Sequence, residues 1–423
     1  MRAGGAIALD LAEPEVAGTV LGKAREESCA APALNWQLVT SLADFERIEA
    51  EWLVLHARIS PPAGKVFLTY NWNWHWCRNY LAGGDNRLAV AIGRHDGEIV
   101  SIWPMVTQRL AGLKIATFMG MPVSQYGEVL IDRADTRSAD WLVQGWDYVR
   151  IGLGADLVQL RKVRDDSAIG SLMRKLGAQR GNEQRAPYID LTGETSFESF
   201  NQRFSGKDRK NRRRKRHRME EVGAVACHRV AGSPEQAAAV ALAMERKRDW
   251  LRSEGLVSTA VTDPRFDAFF RDASASSDRR AGCDVVELTI DGKAVATKIT
   301  VSDATYRGLH FTSYDPSAEK FSPGILILET MLADAIAEGV TTFDFMAPAA
   351  PYKLEWTDKT VGVADYAVSN GLLGWLYQAV YLHTFRPRLQ SLAKSGPAPV
   401  RRAIGAALRI LSRHTKAPAG PND

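Results

Sequence analysis

Hydrophobic and polar positions follow the same succession in two separate stretches of the chain. The first stretch predicts strand, turn, strand, strand, helix and strand, at Leu88 to Ile92, Asp96-Gly97, Glu98 to Thr107, Ile115 to Met119, Ser138 to Leu153 and Leu157 to Leu160. The second predicts the same order, at Val285 to Ile290, Asp291-Gly292, Ala294 to Val301, Gly308 to Tyr314, Pro323 to Glu338 and Thr341 to Phe345. Each Asp-Gly pair favours a tight hairpin because glycine adopts positive φ at little cost. The shared order predicts two copies of one α/β unit.

Other elements are predicted around these two stretches. They are a strand at Trp36 to Thr40 and helical patterns at Leu42 to Arg58, Phe67 to Tyr80, Phe197 to Phe204 and Pro234 to Ser253. The tryptophans at 72, 74 and 76 are more typical of core packing than of a sugar site. The apolar run from Gly371 to Leu382 is too short to span a bilayer.

The segment that begins at Ser322 is the strongest candidate for ligand binding. Ser322 favours an N-cap, Pro323 favours the first helical position, and Gly324 removes a side chain where a ligand could approach the backbone. The free amides and positive dipole of a helix start suit a pyrophosphate, and Gly339 predicts the end of the helix. A capped core helix that binds nothing explains the same pattern, and the motif alone leaves that alternative open.

Composition restricts the class of protein. The chain has 423 residues, with 45% apolar and 24% charged residues, which are ordinary globular values. No apolar run approaches the roughly 18 residues of a spanning helix, and the acidic start lacks a signal-peptide pattern. The four cysteines are far apart, without histidines at ligand spacing. We therefore expect a cytoplasmic protein without a structural metal.

Positive charge is concentrated in one run. Residues 207–218 contain nine Lys/Arg and one Asp, a local charge of +8, so the rest of the chain carries 5 − 8 = −3. A solvated helix face explains such a run, but this density also suits phosphate groups of coenzyme A, tRNA or a nucleotide sugar, or anionic lipid headgroups. A weaker basic region follows Arg386, and its amphipathic part from Val400 to Leu411 suits peripheral contact with a membrane.

The order of several short motifs resembles a known family. The motifs are F-x-S-P-G-x-L-x-L, A-x-x-E-G, F-D-F, Tyr352-Lys353 and Trp356 in the second half, and F-L-T-Y-N-W-N-W-H-W, D-G-E-I-V-S-I-W-P, F-M-G and Gln125-Tyr126-Gly127 in the first half. Together they resemble the GNAT-type acyltransferases associated with cellulose and exopolysaccharide biosynthesis, which are related to the tandem-GNAT Fem peptidyltransferases. The resemblance covers most of residues 36–367.

The resemblance implies an α/β fold with a mixed sheet and two tandem GNAT-like units. We expect a mobile arm at 1–34, a first unit on the acceptor side at 35–192, a second unit with the basic helical insertion and the donor site at 193–369, and a helical basic tail at 370–423. The first unit lacks a phosphate loop, because Asp132 and Asp135 precede its helix and repel a pyrophosphate.

The resemblance also implies transfer of an acyl group from acyl-coenzyme A to an amine. The residues expected to bind this co-substrate are Tyr314, Phe321, Ser322, Gly324 and Ile325, although the usual R/Q-x-x-G-x-G/A loop is replaced by a sequence with one glycine and a proline. The oxyanion donor is expected near Thr312 to Tyr314.

Proton transfer and substrate binding are assigned to further side chains. Phe343 and Phe345 share one face of their strand, so Asp344 points to the other face. The candidates for proton handling are Asp344, His310 and Tyr352. The candidates for substrate binding are Gln125, Tyr126, Lys353, Arg212 and Arg213.

Three functions follow from these features. The first is an N-acyltransferase that acylates an amine on a sugar, amino acid or nucleotide-linked precursor in polysaccharide or cell-envelope biosynthesis. The second is a Fem-like transferase that uses aminoacyl-tRNA as donor. The third is a non-catalytic accessory protein of exopolysaccharide synthesis at the membrane.

Overall fold

The computed structural model describes residues 32–59, 65–82, 84–110, 112–256 and 258–380. The arm predicted at 1–34 lies almost entirely outside these residues, as does the tail predicted at 370–423 beyond residue 380. The described strands are β1 (Asn35–Val39), β2 (Arg87–Leu88), β3 (Val90–His95), β4 (Glu98–Trp103), β5 (Met105–Leu110), β6 (Leu113–Phe118), β7 (Leu130–Ile131), β8 (Leu157–Arg164), β9 (Arg180–Asp190), β10 (Val225–Arg229), β11 (Cys283–Ile290), β12 (Lys293–Ser302), β13 (Tyr306–Tyr314), β14 (Thr342–Asp344) and β15 (Thr360–Ser369).

Helices alternate with these strands. The described α-helices are α1 (Leu42–Arg47), α2 (Glu49–Arg58), α3 (Tyr70–Tyr80), α4 (Ser138–Asp147), α5 (Ala168–Lys175), α6 (Phe197–Asn201), α7 (Gly206–Glu220), α8 (Ser233–Ser253), α9 (Thr259–Thr262), α10 (Pro264–Ala275), α11 (Pro323–Ala337), α12 (Pro351–Leu354) and α13 (Leu372–Leu376). A 3₁₀ turn at Pro316–Phe321 leads into α11. The fold is α/β with mixed sheets, as the sequence predicts.

Two sheets organise the described chain. One is four-stranded, in the order β1-β3-β4-β7, and the other is eleven-stranded, in the order β10-β11-β12-β13-β14-β9-β15-β8-β6-β5-β2. Pro104 lies between β4 and β5, which join different sheets. A proline has no amide to donate to a ladder, so the strand predicted from Glu98 to Thr107 is divided there.

The two predicted hairpins have the same backbone geometry. Asp96 and Gly97 have φ of 49° and 84°, and Asp291 and Gly292 have φ of 49° and 76°. A register shift precedes each turn, between Gly93 and Arg94 in β3 and between Leu288 and Thr289 in β11. Both copies also contain three parallel pairs, between β6 and β8 and between β13 and β14. The predicted repetition of one α/β unit is present in these elements.

The long strands β9 and β15 join the two halves of the large sheet. β15 pairs with β8 on one side and with β9 on the other, and β9 also pairs with β14. The sequence did not predict β9 or α5. The domain boundary at 192/193 stays a prediction, and the continuous ladder across it means that the two halves share one sheet.

The two largest apolar cores of the described residues lie against this sheet. The larger contains Trp52, Trp72 and Trp76, and it extends to the phenylalanines of α10. The smaller lies between α11 and the strands β11 to β14. Trp72 and Trp76 are fully buried, which confirms the predicted packing role of these side chains.

Candidate active site

The neighbouring parallel strands β13 and β14 separate part-way along their length. Tyr306 to Gly308 pair with Thr342 to Asp344. Beyond that point β13 continues to Tyr314, whereas the amide of Phe345 turns away and donates to the carbonyl oxygen of Pro187 at 2.9 Å. The two strands are therefore unpaired beyond Gly308 and Asp344, and we call this region between them the cleft. The segment that follows β13 leads through the 3₁₀ turn at Pro316–Phe321 into α11.

The start of α11 offers open space beside its backbone. Pro323 is the first helical residue, as predicted, and a side chain placed on Gly324 would meet no atom within 4 Å. The amide of Ile325 donates to the carbonyl oxygen of Ser322 at 3.0 Å. Ser322 occupies the N-cap position, as predicted, but it has φ of 56° and its side chain makes no capping hydrogen bond. The hydroxyl of Ser322 does not fill the start of the helix.

The residues predicted for co-substrate binding surround this helix start. Tyr314 ends β13, Phe321 ends the 3₁₀ turn, and Ser322, Gly324 and Ile325 form the junction with α11. All five are half-buried. A phosphate beside Gly324 would meet the positive end of the helix dipole.

The corresponding helix of the first half starts differently. The backbone amide and the guanidinium of Arg137, which precedes α4, both donate to the Asp135 carboxylate, at 2.8 Å and 3.0 Å to Oδ1. A carboxylate of the chain itself therefore lies immediately before this helix, where its negative charge opposes an anionic ligand.

His310 lies at a bulge in β13. Ile299 pairs with Phe311 and Thr300 pairs with Leu309, so His310 has no partner in the β12 ladder. Its Nε2 lies 2.5 Å from the carbonyl oxygen of Val123. Because a carbonyl oxygen only accepts, the ring carries its proton on Nε2 and donates it to this oxygen. Burial lowers the pKa of His310 to about 3. A ring with that pKa is a weak proton acceptor at neutral pH, so this geometry argues against the predicted proton-handling role.

Asp344 is fully buried at the point where the strands separate. Its carboxylate accepts hydrogen bonds from Tyr126, Tyr306, Arg164 and the amide of Met346, with the Arg164 guanidinium at 3.0 Å. The side chain points away from Phe343 and Phe345, as predicted. Four donors leave the carboxylate little capacity to take a substrate proton, so its geometry is that of a positioning residue.

Sequence reasoning missed Arg164 and Tyr306. The guanidinium of Arg164 also forms a 2.8 Å ion pair with Asp166, and its Cζ lies 4.8 Å from the ring centroid of Tyr126. Burial, and next the charge of Asp344, raise the pKa of Tyr126 and of Tyr306 well above the usual range. No local pattern marks these residues, since their partner is distant in sequence.

Gln125 and Tyr126, predicted to bind substrate, reach the second half of the chain. Gln125 Nε2 lies 3.5 Å from His310 Nε2. Lys162, which the sequence did not single out, places Nζ 3.1 Å from Gln125 Oε1 and 3.0 Å from the carbonyl oxygen of Ser124. Burial, and next the charge of a neighbouring arginine, lower the pKa of Lys162 to about 7. The structure thus brings the predicted acceptor residues to the predicted catalytic residues.

Two buried lysines flank the same cleft. Lys353 Nζ donates to the carbonyl oxygens of Met346 and Pro348, both at 2.8 Å, just beyond β14. Lys298, which is 1% exposed, has Nζ 3.5 Å from Thr312 Oγ1 on β13. Burial lowers the pKa of Lys353 to about 8, and burial together with the charge of Lys353 lowers the pKa of Lys298 to about 7. Either amine is therefore partly neutral near pH 7.

The remaining predicted residues separate in space. Tyr352 is 45% exposed. Arg212 is buried, with Nε 2.8 Å from Glu329 Oε1 and Cζ 4.7 Å and 4.9 Å from the ring centroids of Phe204 and Trp356. Arg213 is exposed on the outer side of α7. Arg212 therefore anchors the basic helix, which corrects its predicted role in binding substrate, and Arg213 remains available at the surface.

Comparison with known protein families finds a match within the second half of the chain. Residues 206–354 match the family profile of the acetyltransferase (GNAT) domain. This match confirms the predicted GNAT-type domain there and the predicted enzyme class, an acyltransferase. No curated protein matches the sequence.

Solved structures extend the similarity over most of the chain. FemX superimposes with a TM-score of 0.55 at 12% identity, covering 82% of this chain and 99% of FemX, which shows a shared fold. A tandem GNAT protein from the clavulanic acid biosynthesis pathway gives 0.44 at 12% identity, covering 80% of this chain and 99% of that one. L-PGS from Bacillus licheniformis gives 0.47 at 14% identity, covering 81% and 98%. Within the described ranges, no helix has the length and apolarity to cross a membrane.

Proposed function

We propose that the protein is an N-acyltransferase that moves an acyl group from acyl-coenzyme A to an amine. The observation that carries the proposal is the open space at Gly324, which lies at the start of α11 beside the cleft between β13 and β14. Phosphates of the co-substrate would meet the helix start, and its thioester would reach the cleft. Pro323 removes one amide from the usual phosphate loop, so the exposed backbone at Gly324 has the larger share of this contact.

The reaction needs an acceptor for one proton. The amine nitrogen attacks the thioester carbonyl carbon, the C–S bond breaks, and the proton lost by the amine goes to the departing sulfur. A neutral lysine can take the proton from the amine and pass it to the sulfur. Lys298 and Lys353 are suited to this step because both are buried and partly neutral near pH 7. The acceptor would enter from the side of Gln125, which lies next to His310.

A substitution at Gly324 tests the donor site. Gly324→Glu places a carboxylate where phosphates would bind, and its matched control is Gly371→Glu, because both glycines face open space and neither has positive φ. We expect acetyl-coenzyme A to raise the melting temperature of the wild type and of the control. The Gly324 variant should lose that shift and should raise KM for acetyl-coenzyme A at least about tenfold. An equal shift in all three proteins would refute the assignment.

The acceptor is proposed from the resemblance alone. An amine on a sugar, amino acid or nucleotide-linked precursor of a cell-envelope polysaccharide fits the family that the motifs resemble. Release of free thiol from acetyl-coenzyme A, measured against a panel of amino sugars, amino acids and nucleotide-linked amines, would identify it.

The exposed face of α7 favours a second candidate, transfer from aminoacyl-tRNA. Lys207, Lys210, Arg213, Arg214 and Arg218 are all exposed along this helix. Binding to RNA through such cations falls steeply with salt. If tRNA binds the wild type with that salt dependence, if Arg213→Glu with Arg214→Glu abolishes the binding, and if acetyl-coenzyme A produces no melting shift, this second function replaces the first.

A further inference from the structure

An unusual cluster of apolar side chains is exposed at one edge of the large sheet. Leu372, Leu373 and Trp375 on α13 are 73%, 62% and 55% exposed, and Leu376 and Val380 are also exposed. Monomeric soluble proteins rarely expose a contiguous apolar patch without a binding role. A hydrophobic partner is therefore required to explain this surface.

The attachment of α13 holds these side chains outward. Gly374 is buried, and a Cβ atom placed on it would lie 2.0 Å from the carbonyl oxygen of Asp156. Asn370 donates its side-chain amide to the carbonyl oxygens of Arg150 at 2.6 Å and Ala155 at 3.0 Å. On its inner side α13 therefore has Gly374 in close contact with the backbone of Asp156, and a leucine would not fit at that position.

Two neighbouring segments extend the apolar surface along the same edge. Ile151 is exposed in the segment that holds Asn370. Leu110 is exposed at the hairpin between β5 and β6. This hairpin lies at the same edge because β6 and β15 both pair with β8 at Leu157. We define the apolar edge as the set Leu110, Ile151, Leu372, Leu373, Trp375, Leu376 and Val380.

Arg109 is the exposed cation that the described residues place beside the apolar edge, and the sequence that follows Val380 is basic. Arg109 is exposed beside Leu110, and Arg150, beside Ile151, lies 3.9 Å from Asp147. The sequence after Val380 contains eight Lys/Arg and a single acid. These residues are Arg386, Arg388, Lys394, Arg401, Arg402, Arg409, Arg413 and Lys416, with Asp423 as the acid. Because the sequence that follows the apolar edge is basic, a partner that combines an apolar layer with negative charge suits this part of the chain.

We propose that the apolar edge docks on a membrane surface that contains anionic phospholipids. The leucines would enter the boundary between headgroups and acyl chains, and Trp375 suits that level because its ring is apolar and its indole N–H needs a polar partner. The cations would meet lipid phosphates. A second copy of the chain could cover the apolar side chains, but it would bring the same positive charges together. This proposal does not rest on the proposed enzymatic function.

Docking in this way leaves the candidate active site free. β8 runs from Leu157 at the apolar edge to Arg164 beside Asp344. At about 3.3 Å per residue, this strand separates the two regions by roughly 20 Å. Substitutions at the apolar edge should therefore leave acyl transfer to a soluble acceptor unchanged.

Flotation of the full chain with lipid vesicles tests the proposal. The vesicles contain phosphatidylcholine alone, or phosphatidylcholine with phosphatidylglycerol. The edge variant carries Leu372→Ser, Leu373→Ser and Trp375→Ser. The control carries Leu53→Ser and Val54→Ser, which are exposed on α2. We expect the wild type and the control to float with the anionic vesicles, and the edge variant to lose at least about tenfold in binding.

Several results would overturn the proposal. They are equal flotation of the edge variant and the wild type, and failure of the wild type to bind either kind of vesicle. A dimer in solution that the edge variant converts to monomer, without vesicle binding by the wild type, would assign the surface to a second copy instead. Unchanged melting temperatures of both variants establish that these comparisons concern folded proteins.

Discussion

Tyr126 and Asp344 are 218 positions apart in the sequence, yet the phenol oxygen of Tyr126 lies 2.9 Å and 3.1 Å from the two carboxylate oxygens of Asp344. This contact connects the segment that follows β6 with the end of β14, where β13 and β14 separate. Because both residues are buried, the geometry of the cleft depends on a polar contact that water cannot replace.

Removal of the Tyr126 hydroxyl should therefore destabilise the protein. Tyr126→Phe leaves a buried carboxylate with one donor fewer, and we expect the free energy of unfolding to fall by about 1–3 kcal/mol. Urea unfolding measures the change. Tyr352→Phe, at a residue that is 45% exposed, is the control and should stay within about 0.5 kcal/mol of the wild type. A Tyr126 variant as stable as this control would show that the contact contributes nothing.

The ion pair between Arg164 and Asp344 should behave as a coupled unit. Arg164→Met leaves the buried Asp344 carboxylate without its cation and should cost about 3–5 kcal/mol. Asp344→Asn leaves Arg164 paired with Asp166 alone and should cost less. The double variant contains no lone buried charge, so its loss should be smaller than the sum of the single losses. A double-mutant cycle in urea measures this coupling, and strictly additive losses would contradict it.

Local sequence predicted those features whose cause is local. The Asp-Gly turns, the start of α11 at Pro323 and the outward direction of Asp344 depend on glycine φ, the ring of proline and strand alternation. Ser322 occupies the predicted N-cap position, but with φ of 56° its side chain makes no capping hydrogen bond. A dipeptide pattern does not determine that angle.

Long-range pairing determined what the sequence did not predict. The donors to Asp344 come from β8, β13 and the segment after β6, and no spacing rule connects them. Lys298 lies between Thr297 and Ile299 in β12, and a lysine in a strand is typical of a solvent-facing position. It is buried because α11 covers that face of the sheet. The same helix explains why Arg212, which was predicted to bind substrate, is buried instead: its ion-pair partner Glu329 lies on α11.

Burial of Lys298 should make stability depend on pH. The pKa of this lysine falls from 10.5 to about 7 in the folded protein, so between those values the unfolded state binds more protons than the folded state. The free energy of unfolding should therefore rise with pH from about 7 to about 10 through this group. Lys298→Met should reduce that rise, whereas Lys293→Met, at the exposed start of the same strand, should leave it unchanged. Urea unfolding at a series of pH values measures both slopes, and equal slopes in the two variants would contradict the assignment.

Substitutions at two adjacent arginines of α7 should differ in their effect on the free energy of unfolding. Arg212→Ala removes an ion pair with Glu329 and two ring contacts from a buried position, so unfolding should become easier by about 3 kcal/mol. Arg213→Ala removes an exposed charge and should change stability by less than about 0.5 kcal/mol. Urea unfolding separates the two effects. Heparin binding gives an independent comparison, because Arg213→Ala should weaken heparin binding while the protein stays folded. Equal losses of stability at both positions would show that α7 is not anchored through Arg212.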